Sequence, residues 1–269
     1  MSIRDTLKQR EAQRDAAVNG GSEFPDGVTR YVRMGKHGEV NADGRTFVVL
    51  ADPDNWFFYF VHEDKTFNGK TTHHFRKHTC LHSPREIGSD IKAFFRPGKD
   101  ACPSCKAGAK RKMYAMIPVY DAEYKTYRVI DTAEFHVNNI IADYDKLEKA
   151  MRKATKQADY SIVGEAVHIK QVDKSFALES GDIDLESDTA EQEFFANINA
   201  NFVGIDYGYA DLANFREESD IAEILQSASD EAKLDKTFVA TLSTEPKETP
   251  ASETTGGGPI EIEDDDLPF

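Results

Sequence analysis

The chain has 269 residues, 39% of them apolar, and a formal net charge of −15. This apolar content is enough to build a hydrophobic core, so a chain disordered throughout is excluded. No run of sequence approaches the roughly 20 apolar residues that cross a bilayer, and the first residues lack the apolar stretch of a signal peptide. We therefore expect a cytoplasmic protein, whose three cysteines stay as thiols or bind metal.

The charge is unevenly distributed along the chain. Between Lys70 and Lys112 there are 11 Lys or Arg against 3 acids, a local excess of +8. Residues 179–193 contain seven acids and no base, and residues 245–269 contain eight acids against Lys247 alone. The negative net charge argues against binding to nucleic acid. The basic segment at residues 70–112 favours such binding, because it can supply a positive surface for a polyanion. Such asymmetry indicates an interaction protein.

The sequence up to residue 180 predicts strands, a loop region and one strong helix. Residues 1–22 predict a charged, weakly amphipathic arm that ends in a turn-rich break. Frequent Pro and Gly predict an irregular loop over 81–112, and apolar side chains recur at helical spacing over 143–158. Strands are predicted over 28–34, 45–52, 55–63, 71–80 after an Asn68-Gly69 turn, 113–121, 125–132 and 160–179. This pattern predicts a mainly β protein with accessory helices, built around a small β-barrel.

The sequence after residue 180 divides into two parts. Residues 181–242 are acidic, and the segments 193–199, 210–215 and 220–228 predict one or two helices. Residues 243–269 have the Pro, Ser, Thr, Gly and Glu content of a disordered linker. The chain ends in EDDDLPF, in which four consecutive acids precede Leu, Pro and Phe. A tail that served only solubility would not require this apolar end.

The spacing of cysteine and histidine predicts a metal site. Cys102 and Cys105 form a C-x-x-C pair, Cys80 lies upstream, and five of the eight histidines fall within residues 62–82. Three thiolates and one imidazole make a closed, structural zinc set, because four protein ligands leave no position for water. The alternatives are a redox pair, which should open a helix in a βαβ unit, and three unrelated buried thiols. The loop context of the pair favours zinc, and these residues alone leave the fourth ligand open among the histidines.

A basic and aromatic stretch follows the cysteine pair. Cations beside exposed rings on a sheet suit single-stranded nucleic acid, because the cations contact phosphates and each ring can stack on a base for ~1–3 kcal/mol. Ordinary strand packing explains any one tyrosine taken singly, so the prediction depends on the combination. The candidate DNA-binding residues are Arg76, Lys77, Lys106, Lys110, Arg111, Lys112, Tyr114, Tyr124, Lys125, Tyr127 and Arg128.

Five short motifs occur in a fixed order along residues 28–180: FVHEDKTFNGK, HTC, ACPSC, AKRKMYA and VHIKQV. With this set the chain resembles the single-stranded DNA-binding (helix-destabilising) proteins of tailed phages, and it is similar to the zinc-containing type of the T-even phages. The resemblance implies an OB-fold, a small Greek-key β-barrel, over residues 23–180. It also implies a zinc-binding insertion at about 62–112 and an arm at 1–22 for weak self-association on DNA.

The resemblance also implies a ligand set and a cofactor. The family's metal ligands follow the order His, Cys, Cys, Cys, which corresponds here to His62, Cys80, Cys102 and Cys105. Two of the gaps in this set are longer than is typical of the family, so His74 and His78 remain alternative ligands. The implied cofactor is one structural zinc ion.

The C-terminal tip resembles the DDDIPF-type end of bacterial single-stranded DNA-binding proteins. The matching residues are Asp264, Asp265, Asp266, Leu267, Pro268 and Phe269. In that family the tip docks replication and repair proteins, with acids that steer the approach and apolar end residues that make the specific contact. The resemblance therefore implies recruitment of replication and recombination proteins.

Taken together, these features predict a non-catalytic, sequence-tolerant single-stranded DNA-binding protein of phage DNA replication, recombination and repair, without a membrane partner. One alternative is a zinc-dependent nuclease or deaminase, which needs an open metal position. The candidate ligand His62 does not meet the H-x-E signature of the deaminases, because Glu63 is adjacent to it. A second alternative is an RNA-binding zinc-ribbon protein, which shares the basic and aromatic features.

Overall fold

A seven-stranded sheet and six helices form the part of the chain that the structure, a computed structural model, describes: residues 24, 28–67, 77–98 and 102–242. The strands are β1 (Arg45–Val49), β2 (Phe57–Glu63), β3 (Lys77–Thr79), β4 (Arg111–Asp121), β5 (Thr126–Ala133), β6 (Ala166–Val172) and β7 (Ser175–Ser180). The helices are α1 (Pro103–Lys106), α2 (Glu134–Thr155), α3 (Asp188–Asn201), α4 (Tyr209–Leu212), α5 (Glu218–Ser227) and α6 (Lys236–Val239). None of these six helices combines the length and the apolar composition of a bilayer-spanning segment.

The strands pair in the order β3–β2–β4–β1–β6–β7, and all these pairs are antiparallel. β4 is the central strand because its 11 residues pair with β2 at one end, with β1 at the other, and with β5 along the opposite edge. In this register Tyr59 lies opposite Tyr114, and Ile117 lies opposite Ile130. The result is one open sheet with two faces to cover.

Helix α2 covers one face of the sheet. Its buried residues Val137, Ile140 and Tyr144 recur at helical spacing and pack against inward-facing strand residues such as Ile117. Trp56 meets the Tyr144 ring edge-on, with the ring centroids 6.2 Å apart. The helix ends where Lys156 takes a left-handed conformation, a common way for a helix to stop.

The opposite face is covered by α3, α4 and the chain between them. This second layer is mainly aromatic, and its contacts join distant parts of the sequence. Ring pairs that bridge the layers are Tyr120 with Phe202 (4.8 Å), Phe57 with Tyr209 (5.6 Å) and Tyr127 with Tyr207 (3.9 Å). The acidic segment after residue 180 therefore supplies part of the core as well as charged surface.

Helices α5 and α6 close a third hydrophobic cluster at the β2–β3 end of the sheet. Ile221 and Leu225 of α5 are buried there together with Phe60 and two of the cysteines, Cys80 and Cys102. The segment before α6 is attached to the same region. The amide of Asp235 donates to the carbonyl of Ala107, the residue that caps the C-terminal end of α1. The C-terminal helices thus hold the cysteine-containing loops in place.

Several sequence predictions need correction. The described chain is mixed α/β rather than mainly β, because α2 alone has 22 residues, twice the length of the longest strand. Residues 160–179 form a hairpin, β6 and β7, where one strand was predicted, and 28–34 make only isolated bridges. Helix α2 begins at Glu134, nine residues before the predicted start at residue 143. Its first turns contain Asn and Val, which are weak helix formers, so burial of one face against the sheet determines the start.

Three sequence predictions lie outside the described residues. These are the N-terminal arm at 1–22, the Asn68-Gly69 turn and the linker with its acidic tip at 243–269.

Candidate metal centre

Four predicted ligands converge where β2 and β3 end. His62 lies on β2, Cys80 follows β3 directly, Cys102 precedes α1 and Cys105 lies within it. Pairing of β2 with β3 places the first two close together, and the Cys80 amide donates to the Phe60 carbonyl at 2.8 Å. One ligand atom from each residue lies within 4.8 Å of all the others, so the cluster could hold one metal ion.

The separations within the cluster match the size of a tetrahedral zinc site. Zinc bonds of about 2.3 Å to sulfur and about 2.0 Å to nitrogen place two sulfurs ~3.8 Å apart and sulfur and nitrogen ~3.5 Å apart. Sγ of Cys80 and Sγ of Cys105 are 3.6 Å apart. Nε2 of His62 lies 3.4 Å from Sγ of Cys105 and 3.8 Å from Sγ of Cys102. The three cysteines are not in disulfides, and the donor set fits zinc.

Backbone groups orient the ligands. Nδ1 of His62 lies 3.1 Å from the Lys110 carbonyl and can donate to it, which leaves the Nε2 lone pair directed at the sulfurs. The Leu81 amide donates to the sulfur of Cys102, so the backbone also stabilises thiolate charge. Both contacts are typical of a site built to hold a cation.

The electrostatics of the cluster favour the thiolate form of Cys102. Hydrogen bonds from Cys105 and Cys80 hold the pKa of Cys102 well below its usual range. The pKa of Cys105 is raised, because its S–H donates to the neighbouring sulfurs and because it is partly buried. Burial alone would lower the pKa of His62, but hydrogen bonds and charge from Cys102 and Cys80 raise it to about 9. Metal binding would displace the remaining protons from these ligands.

The cysteine pair lies on a short helix rather than in the predicted loop. Cys102 is extended, Pro103 takes the first helical position, where its missing N–H is no loss, and Gly108 closes the turn at a φ of +75°. The sheet pairs around it are antiparallel and contain no βαβ unit among the described residues. A redox pair of the βαβ type therefore has no structural support here.

The structure selects His62 among the alternative histidines that it describes. His78 lies opposite His62 on β3 with the two rings 5.5 Å apart, but its Nε2 is 2.7 Å from the Ser104 hydroxyl. Burial and the nearby His62 lower the pKa of His78 to about 3, so this histidine is neutral. His78 therefore packs against His62 and is not one of the four ligands. His74 lies outside the described residues.

Most of the predicted DNA-binding residues lie near the metal cluster. Lys106, Lys110 and Lys112 are exposed. Lys112 and Tyr114 are on the same face of β4, where both contact Glu63 at 2.8 and 3.1 Å. The members of this group that the structure describes are Lys77, Lys106, Lys110, Arg111, Lys112 and Tyr114.

Two of these residues have additional contacts. The Lys77 ammonium lies over the Tyr114 ring, 4.2 Å from its centroid. Arg111 is on the opposite face of β4 from Lys112, with its guanidinium 3.6 Å from the Phe60 centroid. It also donates to the carbonyls of Phe94 and His82 at 2.6 and 2.5 Å. Arg111 therefore positions a loop as well as adding charge.

The other predicted residues that the structure describes lie at the far end of β4, and two of them are unsuited to contact DNA. Arg128 is fully buried, and its guanidinium binds Glu39 at 2.6 Å and Asp121 at 3.0 Å. Tyr127 is 5% exposed, because Tyr207 stacks on it. The prediction for both is corrected: their neighbours in space, distant in sequence, enclose them. Tyr124 and Lys125 remain at the surface of the β4–β5 turn, whereas Arg76 and the tip residues Asp264 to Phe269 lie outside the described residues.

Sequence reasoning missed a groove beside the metal cluster. It has a volume of about 750 Å³ and is lined by Phe95 and Phe135, which are 54% and 61% exposed, together with Arg111, Lys112 and the metal-site residue Cys105. The one signal in the sequence was the run AFFRPG, in which aromatic and basic residues adjoin a Pro-Gly turn.

Comparisons with protein-family models, with curated proteins and with solved structures gave no match to this chain.

Proposed function

We propose that the protein is a zinc-containing, non-catalytic protein that binds single-stranded DNA with little sequence preference. In this proposal it protects DNA during phage replication, recombination and repair, and it recruits partner enzymes through its C-terminal tip. The observation that supports it most strongly is the position of the His62/Cys3 cluster. A metal ion held there would join β2 and β3 to the segment that carries the exposed Lys106, Lys110 and Lys112.

The charge around the cluster supports a polyanionic ligand. Residues 77–98 and 102–114 contain eight Lys or Arg against two acids, although the whole chain has a net charge of −15. Lys106, Lys110 and Lys112 are exposed within this region. Each cation that neutralises a phosphate releases a counterion, so such a surface would bind nucleic acid most tightly at low salt.

The donor set supports a structural role for the metal. Four protein ligands leave no open position for a reacting water, and three of the four residues are buried. The ion would supply a rigid cross-link among loops that contain several Pro and Gly residues. This favours binding over the nuclease and deaminase alternatives, which need an open metal position.

The proposal includes an OB-type barrel with the metal-binding insertion between β2 and β4. A long central strand that pairs with three neighbours is compatible with a partly open Greek-key barrel. The proposal also includes the tail. Its acids would steer the approach of partner proteins, and the apolar end Leu267-Pro268-Phe269 would make the specific contact with them.

Binding of labelled oligonucleotides at several salt concentrations tests the proposal. With three exposed lysines contacting phosphates, we expect a log–log slope of affinity on salt of about −2 or steeper. The strand should be recovered intact, and single-stranded DNA should bind more tightly than duplex DNA or RNA of the same sequence. An affinity that does not change with salt, tighter binding of RNA, or cleavage or base conversion of the strand, would contradict the proposal.

A further inference from the structure

The groove beside the metal cluster is lined by two exposed aromatic rings, those of Phe95 and Phe135. Phe95 follows a 3-10 turn over Ile91–Phe94, and Phe135 lies in the first turn of α2. They are the two most exposed large hydrophobic residues of the described chain, and both line this one groove. Single exposed apolar residues are ordinary, but two rings in one concave site indicate a ligand.

Both rings are held by rigid supports. Phe95 meets the buried Phe60 ring edge-on at 6.2 Å, and Arg111 fixes the loop by donating to the Phe94 carbonyl. Phe135 lies on a 22-residue helix that is anchored two residues later by the buried Val137. Positions fixed in this way lose little conformational entropy when a ligand stacks on them.

The charged residues at the groove would suit the phosphate group of a nucleotide. Lys112 and Arg111 line it, and Arg96 is exposed next to Phe95. Glu134 is the one acid among the described lining residues, and the Arg111 guanidinium lies beside the lining ring of Phe60, so a phosphate would lie toward Arg111. Flat rings beside cations suit a base and its phosphate, because stacking tolerates every base and the cation contacts the backbone.

We propose that Phe95 and Phe135 form a base-stacking site of the protein, in which unpaired nucleobases stack while the phosphate lies toward Arg111. This inference rests on the proposed function and deepens it, because it assigns base contacts to residues outside the basic and aromatic stretch. A protein surface that docks on the same rings is the competing occupant, and it is an outcome of the test below.

The test compares two ligands of about 12 nucleotides with equal phosphate number: oligodeoxycytidylate and a fully abasic strand. Phe95→Ala and Phe135→Ala should each weaken binding of the base-containing strand by roughly 5- to 150-fold per base no longer stacked. Binding of the abasic strand should not change. Val172→Ala, which truncates another exposed apolar residue, is the matched control and should bind both strands like the wild type.

A second variant gives a direct readout of stacking. Phe135→Trp keeps a flat ring and should retain affinity, and its emission should be quenched by the base-containing strand but not by the abasic one. The native Trp56, the single tryptophan of the chain, is 2% exposed and should respond to neither.

The outcomes separate the inference from the proposed function. If the wild type binds neither strand, the proposed function fails. If it binds and the alanine variants bind both strands like the wild type, or lose both equally, the stacking site is overturned while DNA binding stands. An unchanged DNA affinity with an altered oligomeric state in sedimentation would assign the rings to a protein contact instead, and it would also overturn the site.

Discussion

The Nε2 atom of His62 lies 3.4 Å from the Sγ atom of Cys105, although 43 residues separate them in sequence. The register of the sheet makes this contact possible, since His62 pairs with Arg111, shortly after Cys105 along the chain. A slip of one residue in that pairing would turn the imidazole to the opposite face of the sheet. The pairing of β2 with β4 therefore positions both the metal cluster and the cationic end of β4.

Removal of the histidine ligand should cost both metal and stability. We expect His62→Ala to lower the zinc content from about one per chain to well below one. Structural zinc contributes on the order of 10 kcal/mol in small zinc domains, and even partial loss should lower the melting temperature by on the order of 10 °C. Elemental analysis and calorimetry measure the two effects. The exposed His37 provides the control, since His37→Ala should change neither; full zinc retention by His62→Ala would contradict the ligand assignment.

The spacing in the sequence was sufficient to predict the three cysteines of the metal cluster. The C-x-x-C pair and the upstream cysteine define most of the donor set, because this spacing of thiolates is typical of structural zinc sites. The choice of His62 over His78 could not be made from spacing alone. It depends on two contacts made in space, the Lys110 carbonyl at His62 and the Ser104 hydroxyl at His78.

Long-range packing set the limit of what could be predicted elsewhere. Tyr127 and Arg128 lie in a basic and aromatic run, but they are buried by Tyr207 and Glu39, which are distant in sequence. The groove with Phe95 could not be recognised either, because its walls come from separate elements. Strand positions were predicted better, since apolar and aromatic runs such as that of β2 depend on local sequence.

Each exposed lysine that contacts a phosphate should make its own contribution to the salt dependence of DNA binding. Lys112→Ala should reduce the log–log salt slope by about 0.7, the value for one phosphate contact on a single strand. Lys146→Ala is a close control: Lys146 pairs with Asp143 at 2.8 Å, as Lys112 pairs with Glu63 at 2.8 Å, but it lies on α2. Anisotropy titrations over a salt series measure the slopes. Equal slopes for the two variants would remove Lys112 from the DNA interface.

The buried Arg128 should act on stability rather than on DNA binding. Arg128→Met leaves Glu39 without its closest partner and Asp121 with Arg45 alone, and loss of one member of a buried ion pair costs about 3–5 kcal/mol. Arg33→Met removes a mostly exposed partner of the same glutamate and should cost about 0–1 kcal/mol. Urea denaturation measures both. A cost below about 1 kcal/mol for Arg128→Met would contradict the role of the buried network.

The same network predicts a pH dependence. Burial would raise the pKa of Glu39, but the hydrogen bonds and charge of Arg128 lower it below the ordinary 4.5. A lowered folded-state pKa means that this stabilisation is complete above about pH 4.5 and is lost as the pH falls through the folded-state pKa. Stability of the wild type should therefore fall more steeply below pH 4.5 than that of Arg128→Met, in denaturation curves recorded at several pH values. Equal acid dependence of the two proteins would contradict this account.

Two truncations should separate the effect of the acids of the tail from that of its apolar end. Deletion of residues 263–269 removes four acids and the apolar end, so an intramolecular competitor for the basic surface is lost and DNA affinity should stay equal or rise, by up to about tenfold at low salt. Deletion of 267–269 alone keeps the acids, so DNA affinity should not change. Both truncations should abolish association with replication enzymes in pull-down assays, because Leu267, Pro268 and Phe269 supply the specific contact. Retained association after the shorter deletion would show that the acids alone bind the partners.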